Sequence, residues 1–238
     1  MDNHSTKVVY QCSLCQDQGW VYKDVPFGHE DFGKAVRCQC KVESDRKELV
    51  TRYLSYLPAA SEKMTFGNFK DYGEQVLKKA KEAAIKLAEE TGDIKWLTLM
   101  GDTDCGKTHL AVAICRRWLK RGKIARYYFV TTMLHDLRDG FDKDGEYSYR
   151  RVFDGLCNMP LLVLDDLGLR ENPTSWEVEQ LQTIIHIRGI SGLPLVVTTN
   201  KALDHLNCDD EGRIASRLQR EAWCRVLLLD TKAHRERS

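Results

Sequence analysis

Ile94-Lys95-Trp96-Leu97-Thr98-Leu99-Met100 runs without a break into Gly101-Asp102-Thr103-Asp104-Cys105-Gly106-Lys107-Thr108, and His109 to Leu119 continues with the spacing of a buried helix. An apolar strand, a glycine-bounded loop and a helix are the context that Gly-x4-Gly-Lys-Thr requires before it can bind phosphate. The glycines let the backbone turn its N–H groups onto phosphate oxygens at the helix N-terminus. Lys107 then neutralises charge on the β and γ phosphates, and the Thr108 hydroxyl ligates Mg²⁺. ATP with Mg²⁺ is therefore expected over Gly101, Asp102, Thr103, Asp104, Cys105, Gly106, Lys107, Thr108 and His109. Asp104 stands where many such loops carry glycine and brings a carboxylate toward the triphosphate. A side chain turned outward removes the conflict, because only the backbone needs to face phosphate.

Outward from this loop, helical periods alternate with short apolar runs from Thr65 onward, the pattern of an α/β domain. The spacing predicts helices over 74–90, 107–120, 174–189 and 211–220, with helical pieces near 132–139 and 147–157. It predicts five strands over 94–100, 124–130, 160–165, 193–199 and 224–229, forming a parallel sheet flanked by helices. Leu161-Leu162-Val163-Leu164-Asp165-Asp166 is an apolar strand ending in two carboxylates. A core strand has no structural use for paired acids at its end unless they meet a cation or water. Asp165 suits the Mg²⁺ shell, and Asp166 suits the group that orients water for attack on the γ-phosphate. In Leu195-Val196-Val197-Thr198-Thr199-Asn200 the polar tip is expected beside that pair, with Asn200 placed to bond the attacking water or the γ-phosphate.

The first part of the chain follows other rules. Residues 1–41 hold Cys12-x2-Cys15 and Cys38-x-Cys40, separated by 22 residues, with no helical period between them. Two close cysteine pairs supply the four thiolates of a tetrahedral Zn²⁺ site, and Gly19 helps the chain turn around the metal. An iron-sulfur cluster is the alternative with the same ligand count. So short a segment cannot build much of an apolar core, so metal is expected to organise it. Residues 42–62 read as a connecting helix and linker broken at Pro58, and residues 63–238 as the ATPase domain. The remaining cysteines, at 105, 115, 157, 208 and 224, are scattered through that domain and read as core or incidental.

Lys plus Arg, 36, nearly balance Asp plus Glu, 35, so no global charge steers the chain toward nucleic acid or membrane. No basic, apolar and small-residue leader opens the sequence, and no stretch reaches the roughly 18 apolar residues of a membrane span, which points to the cytoplasm and to no membrane partner. Neither an internal repeat nor a low-complexity segment is found. Asp139 to Leu156 carries Lys143, Tyr147, Tyr149, Arg150 and Arg151, a composition that can hold a single-stranded backbone and stack on bases, or else form an amphipathic helix with its aromatics in the core.

Gly106-Lys107-Thr108-His109-Leu110-Ala111, Leu162-Val163-Leu164-Asp165-Asp166-Leu167-Gly168, Thr198-Thr199-Asn200 and Arg213-Ile214-Ala215-Ser216-Arg217-Leu218 occur in order, and together resemble the DnaC/IstB-like AAA+ ATPases. Thr65-Phe66-Gly67-Asn68-Phe69 resembles that family's entry to the ATPase domain near the adenine site, and Tyr128-Phe129-Val130-Thr131-Thr132 also matches. The resemblance covers roughly residues 60–237. It implies an AAA+ sheet whose ATP lies between subunits of a ring or spiral, with Arg217 as the arginine that reaches the γ-phosphate of the adjacent copy. Arg235 falls where family members place an arginine after the last strand, a cis contact to nucleotide, although Ala233 and His234 replace the surrounding Asp-aromatic pattern. Ending at Ser238, the chain is expected to lack a C-terminal helical lid, as short family members do. The cysteine segment resembles the N-terminal zinc units of DnaI-type and phage-encoded helicase loaders. The resemblance implies a loader of a hexameric replicative DNA helicase acting on single-stranded DNA or an IstB-type transposition helper that recruits a transposase; a third reading, from another class, is a nucleotide-dependent adaptor with little hydrolysis.

Overall fold

The computed structural model describes residues 9–144, 146–168, 173–206 and 212–236, with the backbone alone for residues 141–144, 146, 147 and 235. The chain divides into two units, Met1–Thr51 and Arg52–Ser238.

In the first unit, strands β1 (Trp20–Tyr22) and β2 (Ala35–Arg37) pair antiparallel, with Trp20 opposite Arg37. Helix α1 (Gln39–Leu54) follows β2 directly. The ribbon carries one cysteine pair ahead of β1 and the other behind β2, so pairing the two short strands brings the four thiols together. The helix starts earlier than the expected residue 42, because the Cys38 carbonyl accepts the N–H groups of Lys41 and Val42 and makes the second cysteine pair part of the first turn. That turn explains the single-residue spacing of Cys38 and Cys40. Gly19 adopts φ 78° and its carbonyl accepts the Cys38 N–H at 2.8 Å, a left-handed turn that suits glycine.

The second unit begins within the last turn of α1 and continues through a 3-10 turn, Ala59–Lys63, then α2 (Gln75–Glu89), β3 (Trp96–Met100), α3 (Lys107–Lys120), β4 (Ala125–Phe129), α4 (Val130–Asp144) and α5 (Glu146–Asn158). It ends with β5 (Leu161–Asp165), α6 (Ser175–Ile190), β6 (Leu195–Thr199), α7 (Arg213–Arg220) and β7 (Cys224–Leu228). The five strands form one parallel sheet in the order β4-β5-β6-β3-β7. The central strands β5 and β6 are buried throughout, whereas the edge strands β4 and β7 are partly exposed. That difference arises because helices cover both faces of the middle of the sheet.

One face presents Trp96, Leu162, Leu164, Leu195 and Val197 to Met133 and Leu137 of α4, Leu181 and Ile184 of α6, and Ile214 and Leu218 of α7. Helices α2 and α3 pack on the other strands' side chains, with α3 reaching β4, β5 and β6. Helix α2 forms because Leu77, Ala80, Ala84, Leu87 and Ala88 recur on one buried stripe, and it stops at Glu90, whose φ of 56° closes the last turn. Helix α6 is fixed at its start by Thr174 and Glu177, which satisfy each other's backbone N–H groups. Among the described residues, no helix is long and apolar enough to cross a membrane.

Candidate functional site

The phosphate loop lies at the C-terminal end of β3, where the strand order turns back on itself between β6 and β7. Ligand clefts of open parallel sheets form at such a point. Gly101 has φ 144°, and a Cβ there would stand 2.7 Å from the Leu229 carbonyl oxygen. Gly106 has φ 101°, and its Cβ would meet the Phe69 ring at 2.8 Å. Both glycines are therefore required twice, by conformation and by the closeness of a neighbour.

Asp104 is exposed with φ 65°, the left-handed region that glycine occupies readily and aspartate tolerates better than most residues. Its backbone carbonyl accepts the His234 N–H at 2.9 Å, tying the loop to the segment after β7. The buried Lys107 donates through Nζ to the carbonyls of Gly101 at 2.8 Å and Asp102 at 2.7 Å, so its ammonium is held inside the curve of the loop. A cleft of about 880 Å³ runs from this loop to Met64, Asn68, Phe69, Tyr72 and His109 and is closed by His234, whose ring meets the Tyr72 hydroxyl. His109 donates to the Thr65 carbonyl at 2.9 Å and lies edge-on to Phe69; burial holds its imidazole below the ordinary histidine value. The cleft's size, its apolar ring wall and its anion-binding loop fit a nucleoside triphosphate.

Asp165 is fully buried at the end of β5. Thr108 Oγ1 lies 3.2 Å from Asp165 Oδ1 and 3.0 Å from Oδ2, so strand β5 and helix α3 place the two expected Mg²⁺ oxygens side by side. Hard oxygen donors of this kind fit Mg²⁺. Thr198 and Tyr127 also donate to Asp165, each at 2.5 Å. Asp166 is exposed with φ 59°, and its N–H donates to Thr198 Oγ1 at 2.9 Å. A non-glycine residue held in this region beside a phosphate loop is a strained conformation that neighbouring bonds must maintain. Asn200 directly follows β6, the strand between β3 and β5, and its Oδ1 lies 3.9 Å from where a Cβ on Gly168, just after the paired acids, would stand.

Arg217 is not among the residues lining the cleft. It lies on α7, where its Nη1 donates to the Arg213 carbonyl at 3.2 Å. The side chain of Arg235 and Cys208 are outside the described residues, as are the side chains of Lys143 and Tyr147. Tyr149 packs against the core and donates to Gln180 at 2.5 Å, while Arg150 and Arg151 of α5 are exposed. Tyr127 and Tyr72 belong to no site motif in the sequence, and Thr198 and His234 stand there only as members of motifs; their contacts to Asp165 and Tyr72 appear only in the fold. A tyrosine at an inward position of an edge strand was the available signal for the first, but its partner lies on another strand.

In the N-terminal unit, Cys12, Cys15, Cys38 and Cys40 are thiols whose sulfurs all lie within 4.8 Å of one another. Cys12 is 3.7 Å from Cys38, and Cys15 is 3.4 Å from Cys40. One Zn²⁺ with four thiolates at about 2.3 Å places its sulfurs roughly 3.8 Å apart, so the cluster fits a single tetrahedral ion. The Cys15 backbone, followed by the Cys40 thiol, pulls Cys12 down to about 7, while its neighbours, Cys15 first, push Cys40 up. Four thiols this close cannot all ionise without a cation between them. The Asp17 carboxylate accepts the N–H groups of Gln11 at 3.0 Å and Cys12 at 2.9 Å, a support for the first pair that cysteine spacing does not reveal.

A sequence model described as IstB-like ATP binding protein matches residues 86–209, more than half of the chain. The chain belongs to the IstB-like ATP-binding family. With its parallel sheet and phosphate loop it is a DnaC/IstB-like AAA+ protein. The uncharacterised Bacillus subtilis protein YqaM is 27% identical over 273 residues, covering 96% of this chain and 85% of YqaM. The replicative helicase loader DnaC of Escherichia coli is 28% identical over 142 residues, 60% of this chain and 57% of DnaC. The crystal structure of DnaI superposes with a TM-score of 0.61 at 20% identity, covering 75% of this chain and 94% of that one, which supports the fold of this IstB-like member.

Proposed function

We propose that this chain is an ATP-dependent loader of a replicative DNA helicase that assembles on single-stranded DNA and hydrolyses ATP at the interfaces between its copies. The observation that carries this reading is the pairing, in one chain, of a phosphate and carboxylate site with a thiol cluster whose aromatic side chains face outward. Trp20, Tyr22, Phe27 and Phe32 are 53%, 74%, 90% and 52% exposed. Nearby cations are already engaged, Lys23 with Asp31 at 2.5 Å and Arg37 with Asp45 at 2.7 Å. Aromatic surface with neutralised charge suits a protein partner better than a phosphate backbone. The zinc unit would grip the helicase, and the arginines of α5 would contact DNA.

In the ATPase cycle, Lys107 and the loop N–H groups hold the triphosphate. Thr108 and Asp165 would hold Mg²⁺, which would screen charge on the β and γ phosphates. Asp166 orients the attacking water and accepts its proton, Asn200 holds that water in line, and Arg217 of a neighbouring copy stabilises charge as the bond to the leaving oxygen breaks. A transposition helper is the second reading, favoured by the family match itself. An adaptor with little hydrolysis is the third.

Pull-down with a hexameric helicase, repeated after zinc chelation, separates these readings. The loader binds helicase with zinc and loses it on chelation, and failure to bind with zinc intact sinks the proposal. Steady ATP turnover that falls about 100-fold in Asp166→Asn, with nucleotide binding retained, excludes the adaptor. Arg217→Ala matching wild-type turnover in oligomeric conditions removes the trans arginine.

A further inference from the structure

Asp165 is a carboxylate with no exposed surface, and among the described residues no ion pair reaches it. Burying a charge this way requires hydrogen bonds or a cation. Three hydroxyls supply them. Thr108 is shared between both oxygens at 3.0 and 3.2 Å, whereas Thr198 donates to Oδ1 and Tyr127 to Oδ2, each at 2.5 Å. The two short bonds come from the strands on either side, Thr198 from β6 and Tyr127 from β4, and the longer, divided one comes from the helix that carries the phosphate loop.

We propose that Tyr127 is a positioning residue for the Mg²⁺-site carboxylate: together with Thr198 it clamps Asp165, so that Thr108 alone changes partner when Mg-ATP enters. The inference rests on the ATPase reading of the site and adds a residue to it.

The geometry distinguishes a clamp from ordinary packing. Register places Phe129, not Tyr127, directly opposite Asp165; Tyr127 opposes Val163 and reaches diagonally along the sheet to place its hydroxyl on Oδ2. Its ring is fixed edge-on against Phe129 at 5.4 Å and 84°, and the residue is buried. Burial, then the Asp165 carboxylate, pushes the Tyr127 phenol above its ordinary value, so it remains a donor across the working pH range. Thr198 Oγ1 also accepts the Asp166 N–H, so the same clamp runs from the metal-site carboxylate to the residue assigned to orient water. Partners that orient a metal ligand in this way set metal affinity without touching the metal.

The test uses the full chain and a fluorescent ATP analogue, titrated with MgCl₂ and, separately, in excess EDTA. Tyr127→Phe removes only the hydroxyl. It is expected to raise the Mg²⁺ concentration for half-maximal tight binding about tenfold, to lower turnover, and to leave the affinity in EDTA unchanged. Thr198→Val shifts the Mg²⁺ midpoint in the same direction, and Thr198→Ser, which keeps the hydroxyl, restores it. A lowered melting temperature with an unchanged Mg²⁺ midpoint in both Tyr127→Phe and Thr198→Val overturns the proposal while leaving the ATPase reading intact. Wild-type protein whose analogue binding ignores Mg²⁺ overturns both.

Discussion

The two units of this chain solve the folding problem by different means. In residues 9–51 the buried side chains are Cys15 and Cys38, and the aromatic residues Trp20, Tyr22 and Phe27 are exposed. In the second unit a continuous layer of Leu, Ile, Val and Ala is buried on both faces of a parallel sheet. The second unit is held by apolar area, each fully buried leucine contributing about 2 kcal/mol. The first has almost none, so its fold is expected to depend on a metal ion held by the four sulfurs. The aromatics that would elsewhere form a core are left on the surface.

The comparison can be broken most decisively at the sulfurs. Zinc chelation, or Cys38→Ser, is expected to remove about 10 kcal/mol or more of apparent metal-linked folding energy from the first unit and to unfold it, while the melting transition of the second unit stays in place. Circular dichroism and amide exchange on the full chain read both at once; a first unit that keeps its protection without metal would show that it has a core of another kind.

The converse test lies at Arg188, which is fully buried on α6 and donates to the carbonyls of Leu156 at 2.8 Å and Pro194 at 2.5 Å. Burial pulls its guanidinium down to about 10, still protonated at neutral pH. Arg188→Leu strands the end of α5 and the start of β6 without their donor. It should cost the second unit about 3 kcal/mol, a fall in melting temperature of roughly 6–12 °C, with the cysteine unit unaffected. Coincident loss of both units would mean that they fold together.

The smallest effect concerns function within the second unit. Asp104→Gly relieves a left-handed aspartate and removes a negative charge beside the phosphate loop. It should tighten ATP binding by a few-fold and stabilise the fold by about 1 kcal/mol or less, measured by analogue titration and thermal melting. Unchanged affinity would show that the carboxylate stays clear of the triphosphate.

Much of the fold was legible because its signals are local. Apolar runs mark strands covered on both faces, and Gly101, Gly106, Lys107 and Thr108 are adjacent residues whose chemistry depends on one turn of backbone. The helices near 132–139 and 147–157 proved longer, as α4 and α5, because their polar outer faces carry no period to read. Asp165 was identifiable as a carboxylate at a strand end. Its clamp was not, because Tyr127 and Thr198 lie on two other strands and their alignment depends on the order β4-β5-β6.

By itself, then, the sequence determined the phosphate loop, the paired acids, the two cysteine pairs and the alternation that makes an α/β sheet, since each is written in neighbouring residues or a short period. Only the tertiary structure decided which strands lie side by side, that Asp104 sits at positive φ, that four sulfurs converge within 4.8 Å, and that three hydroxyls meet on one buried carboxylate. Those are contacts between residues far apart in the chain, and their energies exist only once the sheet has brought them together.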